Sequence, residues 1–218
     1  MKSDEQLRND VSEQLRWEPS IHESEVATSV KDGVVTLSGY VDSFAEKYVA
    51  VRAIERLNGV IAVVDNLEVN LPSSHRRPDT DIAHAAVTAL KWDITVPDDR
   101  IKMTVRDGWI TLEGDVMWQY QKSAAERAVR NLIGVKGVTN LIALHPPKAS
   151  VLDVSAKIKD ALRRTAELDA ERITVEARDG SVTLRGTVHS YAERRDAERA
   201  AWSAPGVSKV DDRIAVAF

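Results

Sequence analysis

An eight-residue phrase occurs three times in this chain, and its constant spacing constrains the fold more than any other feature. It reads Asp32-Gly33-Val34-Val35-Thr36-Leu37-Ser38-Gly39, then Asp107-Gly108-Trp109-Ile110-Thr111-Leu112-Glu113-Gly114, then Asp179-Gly180-Ser181-Val182-Thr183-Leu184-Arg185-Gly186. A second anchor follows each time, at Gly59-Val60, Gly134-Val135 and Gly206-Val207. Every anchor moves by 75 residues from the first copy to the second, and by 72 from the second to the third. The copies therefore align without internal gaps, and the length difference sits in the linkers. Three units are expected, at residues 3–71, 79–147 and 151–218. Units this small bury modest cores, so contact between them should matter.

Each copy opens with an amphipathic helix. Leu7, Val11 and Leu15 share one helical face, as do Ile82, Ala86 and Leu90, and then Val154, Ile158 and Leu162. Asp4, Asp79, Asp81 and Asp153 suit helix starts, and Pro19 and Pro97 are expected to mark helix stops. A hairpin follows, closed by Asp-Gly, a pair that tolerates the positive φ angles of a two-residue type I′ turn. Pairing across it sets Val30 against Val35 and Thr28 against Leu37. Gly39, Gly114 and Gly186 fall on the inward face, where a missing side chain admits close approach; the expected neighbour is the second helix. That helix starts with a capping box at Ser43/Glu46 and Ser190/Glu193, whereas Trp118 and Gln121 are expected to leave the second copy without one. Gly59, Gly134 and Gly206 are read as its left-handed C-terminal cap. The closing strand would turn Asp65, Asn140 and Asp212 inward, so a bulge or a bond to local backbone is expected there. The resulting unit is αββαβ, an α+β fold with two helices on one face of a small three-stranded mixed sheet. Pro-containing linkers at about 70–78 and 145–150 should be semi-rigid.

Composition excludes more than it assigns. Net charge is −4, spread as −6 over residues 1–71 and +1 over residues 148–218, which gives no reason to expect nucleic acid. There are no cysteines, so disulfides and thiolate chemistry are absent. The first residues carry no apolar signal core, and no run is long enough to span a bilayer. The chain as written reads as cytoplasmic, or as periplasmic where a leader has been removed. His22, His75, His84, His145 and His189 show no metal-binding spacing, and neither a nucleophile elbow nor a phosphate-binding loop is present. Neither a catalytic residue, a cofactor nor a metal is expected.

An αββαβ unit with an Asp-Gly-x-Val/Ile-Thr-Leu-x-Gly hairpin and a later Gly-Val resembles the BON domain family, three times over. The resemblance implies a bacterial, non-enzymatic module associated with envelope stress and with binding phospholipid or other proteins. Its motif is made of structural positions (Gly33, Gly39, Gly59, Gly108, Gly114, Gly134, Gly180, Gly186 and Gly206 here) and transfers no ligand residue.

Candidate binding residues come from the aromatics. Trp17 and Trp92 are expected to pack in the core or between units. Trp109 falls on the outer face of its sheet, where the other copies carry Val34 and Ser181. Trp118 and Tyr120 stand at the start of a second helix, with Phe44 and Tyr191 one position away in the aligned frame, and Trp202 lies outside its helix's alanine row. Amphipathic rings suit wet interfaces with lipid or protein. Two readings follow: peripheral attachment to phospholipid or an envelope partner, and a protein-binding, chaperone-like module acting in the cytoplasm. Oligomeric state is not legible.

Overall fold

The computed structural model describes residues 2–22, 26–146, 151–164 and 172–216, and builds each copy as the same αββαβ unit. The expected linker residue Pro147, the last two residues of the third unit and the side chain of Asp153 lie outside this description. The first unit runs α1 (Asp4–Trp17), β1 (Val26–Lys31), β2 (Val34–Val41), α2 (Phe44–Ile54) and β3 (Ala62–Val69). The second has α3 (Asp79–Trp92), β4 (Ile101–Arg106), β5 (Trp109–Val116), α4 (Gln119–Arg130), and a closing strand broken into β6 (Gly137–Asn140) and β7 (Ala143–Leu144). The third has α5 (Val151–Arg164), β8 (Ile173–Arg178), β9 (Ser181–Val188), α6 (Tyr191–Trp202) and β10 (Lys209–Val216).

In every sheet the hairpin is antiparallel and the closing strand lies parallel to the hairpin's second strand. Register follows the turn. Asp32 and Gly33 have φ of 52° and 74°, as a type I′ turn requires, and Val30 pairs with Val35 and Thr28 with Leu37. Each unit has its own core, built on Leu7/Val11/Leu15 in the first, Ile82/Ala86/Leu90 in the second and Val154/Ile158/Leu162 in the third.

The two glycine anchors of the motif meet in space. The Gly33, Gly108 and Gly180 carbonyls accept from Ile61, Lys136 and Ser208 backbone N–H at 2.8, 2.9 and 2.8 Å. A Cβ on Gly108 would lie 2.7 Å from the Gly134 oxygen, and one on Gly180 2.9 Å from that of Gly206. Side-chain bulk at the turn would push the closing strand away. The turn is also held from the first helix, because Asp4 accepts from Asp32 and Gly33 N–H and Asp79 accepts from Asp107 and Gly108 N–H. The third copy has Val151 at the equivalent position and lacks that carboxylate.

Several expectations are corrected. Gly114 and Gly186 (φ +133° and +142°) are crowded by the backbone entering the hairpin's first strand, at Arg100 and Arg172, and not by the second helix. Their positive φ kinks the strand, which turns the missing side chain toward its own partner. Gly59, Gly134 and Gly206 are not helix caps. The helices stop at Ile54, Arg130 and Trp202, and these glycines end the turn beyond, where a Cβ on Gly134 would meet the first-helix Ile82 at 2.9 Å. Pro97 stands five residues past α3 and opens a short 3₁₀ turn (Asp98–Arg100) rather than stopping the helix. The second copy keeps half of its capping box: Gln121 Oε1 accepts from both Met117 and Trp118 N–H at 3.1 Å, while an indole has no acceptor to return.

The polar residues of the closing strand bond to local backbone, as expected, and Asp65 is exposed rather than turned inward. Asp65, Asn140 and Asp212 accept from Leu67, Ile142 and Ile214 N–H. A cation on the second helix completes each site. Lys47 reaches Asp65 and the Leu67 carbonyl, Lys122 the Ile142 carbonyl, and Arg194 bonds Asp212 at 2.6 Å. These cations align across the copies and offset the acid at Asp65 and Asp212, whereas the second copy has the neutral Asn140.

Candidate functional site

The second helices meet one another, and the contacts between them repeat in cyclic order. Tyr48 on α2 stacks under the Arg130 guanidinium of α4, 3.6 Å from ring centroid to guanidinium carbon. Arg195 on α6 is ion-paired with Glu55, just beyond α2. Tyr48, Ser123 and Arg195 are equivalent positions, and so are Glu55, Arg130 and Trp202. One position of each unit therefore touches the other position of the next, from the third unit to the first and from the first to the second. Ser123 and Trp202 are the remaining pair, and both line the same central cavity. The helix starts follow the same order: Phe44 packs on the second unit's core and Tyr191 on the first unit's. Phe44 is thus a joint between units, and so is Tyr191.

The chamber is half open to solvent and has a volume of about 950 Å³. Its walls carry five arginines. Arg52, Arg127 and Arg199 occupy equivalent positions in the three copies, and Arg56 and Arg195 stand beside Arg52. Arg52 and Arg195 share Glu55, and Arg199 pairs with Asp196 on its own helix. Burial, followed by the neighbouring Arg52 and Arg56 charges, lowers the Arg195 pKa, with Glu55 acting in the opposite direction. Trp118 and Tyr120 also face this chamber, and Tyr120 is largely exposed.

Trp109 lines a second crevice of about 600 Å³ between the first two units, opposite Phe44 and Lys47. Its ring covers Gly137, in the space a side chain there would occupy, and its indole N–H donates to Thr139 Oγ1 at 2.8 Å. Trp202 donates to Glu198 and packs against the third core. The five candidate rings are thus divided between joints (Phe44, Tyr191), a crevice (Trp109) and the chamber (Trp118, Tyr120).

Trp17 and Trp92 overturn the packing expectation. Both are 85% exposed. Each stands two residues past a buried leucine, Leu15 or Leu90, and two helical steps turn a side chain about 200° away from the core. Ile94 is 99% exposed, and the third copy offers exposed Arg164 at the Trp position. Trp92 lines a shallow groove with His84, Thr88 and Leu132, apart from the arginines. Sequence reasoning missed the outward rings, although counting helical angle from Leu15 and Leu90 would have found them.

Among the described residues no helix is long and apolar enough to cross a membrane, and no group of three or more His, Asp or Glu could hold a metal ion. The protein is similar to osmotically-inducible protein Y of Escherichia coli (strain K12), with 31% identity over 125 residues. That match covers 56% of this chain and 62% of the relative, so it takes in about three-fifths of the curated relative's length. Whole-chain superposition on CdsD, a structural protein of the Chlamydia trachomatis type III secretion system, gives a TM-score of 0.28 at 15% identity, covering 97% of this chain and 92% of that one. Its C-terminal domain gives 0.28 at 14% identity, with full coverage of both chains. Scores this low carry no argument about arrangement. The BON domain family profile matches residues 3–70, 78–146 and 150–217, which is nearly the whole chain. This chain belongs to the BON domain family and carries three such domains in tandem.

Proposed function

We propose that this protein is a bacterial stress-associated binding protein, without enzymatic chemistry, that attaches peripherally to anionic phospholipid surfaces. The acting units are residues 3–71, 79–147 and 151–218. The observation that carries the reading is the outward pair Trp17 and Trp92, each 85% exposed at equivalent positions, with Ile94 beside the second and exposed Arg164 at the third. Isolated indoles held in water at the end of a rigid helix serve no core. Indole rings partition to the headgroup region of a bilayer, and a nearby cation adds attraction to anionic lipid. The similarity to a protein named as osmotically inducible supports the stress association.

Co-sedimentation with phosphatidylglycerol and phosphatidylcholine vesicles at two salt concentrations tests this. Binding to the anionic vesicles that weakens with salt, and is lost on combined Trp17→Ala and Trp92→Ala replacement, is expected. Absence of binding to either vesicle would move the function to protein partners, with β1, β4 and β8, the outer hairpin strands of the three sheets, as the surface to examine.

A further inference from the structure

The chamber between the three second helices carries more positive charge than the fold uses. Five arginines line it, against two glutamates, Glu18 and Glu198. Both glutamates already accept hydrogen bonds, Glu18 from Ser20 and Glu198 from the Trp202 indole. Glu55 is divided between Arg52 and Arg195. Arg56 and Arg127 take no ion-pair partner among the described residues. Asp93, on which the Arg127 charge acts weakly, spends one carboxylate oxygen on Thr95, whose backbone N–H and hydroxyl donate to it at 2.9 and 2.6 Å.

Helix ends account for part of this placement, because Arg52, Arg127 and Arg199 each sit in the last turn of their helix, where a cation suits the macrodipole. The gathering of five arginines around one volume goes beyond that, since like charges repel. The three arginines at equivalent positions lie on three different helices around the cavity, with Arg127 and Arg199 exposed to solvent. A guanidinium is a planar fork of donors suited to phosphate oxygens, and three forks lining one cavity suit an anion with several such oxygens. Trp118, Tyr120 and Trp202 contribute aromatic surface to the same wall, beside polar side chains such as Gln14, Gln119 and Ser123. A volume of about 950 Å³ lies within the usual range for small-molecule sites.

We propose that the chamber is a binding site for a soluble organic polyphosphate, whose phosphates meet Arg52, Arg127 and Arg199 and whose flat ring stacks on Trp118. The site is distinct from the outward tryptophans and does not require lipid. It exists only when all three repeats are present, which gives the tandem arrangement a function that one copy could not supply.

Calorimetric titration of the full chain, free of vesicles, tests the proposal with three probes: ATP, inorganic pyrophosphate and sn-glycerol 3-phosphate. One ATP per chain is expected, with affinity falling about tenfold in R52Q, R127Q and R199Q separately, a typical loss for one charge-assisted contact. Arg127 is exposed and holds no ion pair, so R127Q keeps the fold intact. Pyrophosphate should bind more weakly than ATP, and W118L should abolish that difference. Glycerol phosphate, the single-phosphate lipid fragment, should bind weakest. W17A/W92A should leave ATP binding unchanged, which separates this site from the lipid reading. No heat with ATP or pyrophosphate, or affinity indifferent to all three arginine variants, would overturn the site. Equal affinity for ATP and pyrophosphate would overturn the stacked ring.

Discussion

Arg195 on α6 is ion-paired with Glu55 beside α2, across 140 residues of sequence, so the last repeat is fastened directly to the first. Tyr48 and Arg130 make the matching joint between the first and second repeats. The chain is therefore closed on itself by the same helix positions that form the chamber walls. A double-mutant cycle on Glu55→Ala and Arg195→Ala should give a coupling energy of about 1 kcal/mol, since the pair is only partly shielded from water. Amide exchange in α6 should quicken in either single variant while exchange in β4–β5 stays unchanged. Zero coupling would mean that this ion pair does not fasten the third repeat to the first.

Gly114 should differ sharply from Gly59. Gly114→Ala sets a Cβ against the Arg100 carbonyl oxygen, a backbone atom that cannot swing away, at a φ of +133°. A cost of roughly 1–3 kcal/mol is expected from the backbone conformation alone, with the clash added to it. Gly59→Ala meets Leu7 at an ordinary 3.5 Å and carries only the conformational penalty of its φ of +106°. Chemical denaturation of the two variants checks the order. Equal losses would show that crowding at Arg100 is relieved by a small hairpin shift.

Asp93 supplies a pH-dependent contribution next to the chamber. The Thr95 hydroxyl and then its backbone N–H, both donating to Asp93 Oδ1, hold this carboxyl below the usual aspartate range, with a smaller contribution from Arg127. A depressed folded-state value means that the stabilisation is complete above the unfolded aspartate pKa and is lost as pH falls through the folded value. Thr95→Val should raise the Asp93 titration midpoint in an NMR titration, because one donor is removed. Arg127→Gln should raise it less. An unmoved midpoint in Thr95→Val would leave backbone bonding as the main cause.

Much of the fold is legible in the residues, because the signals concerned are local. The Asp-Gly turn sets the hairpin register, so Val30 opposite Val35 follows from four residues. Gly114 shows where locality ends: its inward position can be read, but the neighbour that crowds it depends on how sharply the strand kinks. At Trp17 and Trp92 a large ring after an apolar helix suggests burial, although the angle from Leu15 and Leu90 points outward. The chamber depends on side chains from three repeats and cannot be built from any one of them. Its signal was nevertheless present, because Arg52, Arg127 and Arg199 recur at the same 75- and 72-residue offsets as the glycine anchors. These last-turn positions also suit the helix dipole, and their repetition on three facing helices is what gathers them around one cavity.

Membrane attachment through the outward tryptophans is tested most directly by fluorescence quenching with phosphatidylglycerol vesicles carrying bromine on their acyl chains. The account predicts that the vesicles quench the native chain, and that the quenching disappears when Trp17 and Trp92 are replaced by Ala while Trp109, Trp118 and Trp202 remain. Quenching that survives in that variant, or that is absent from the native chain, would contradict it.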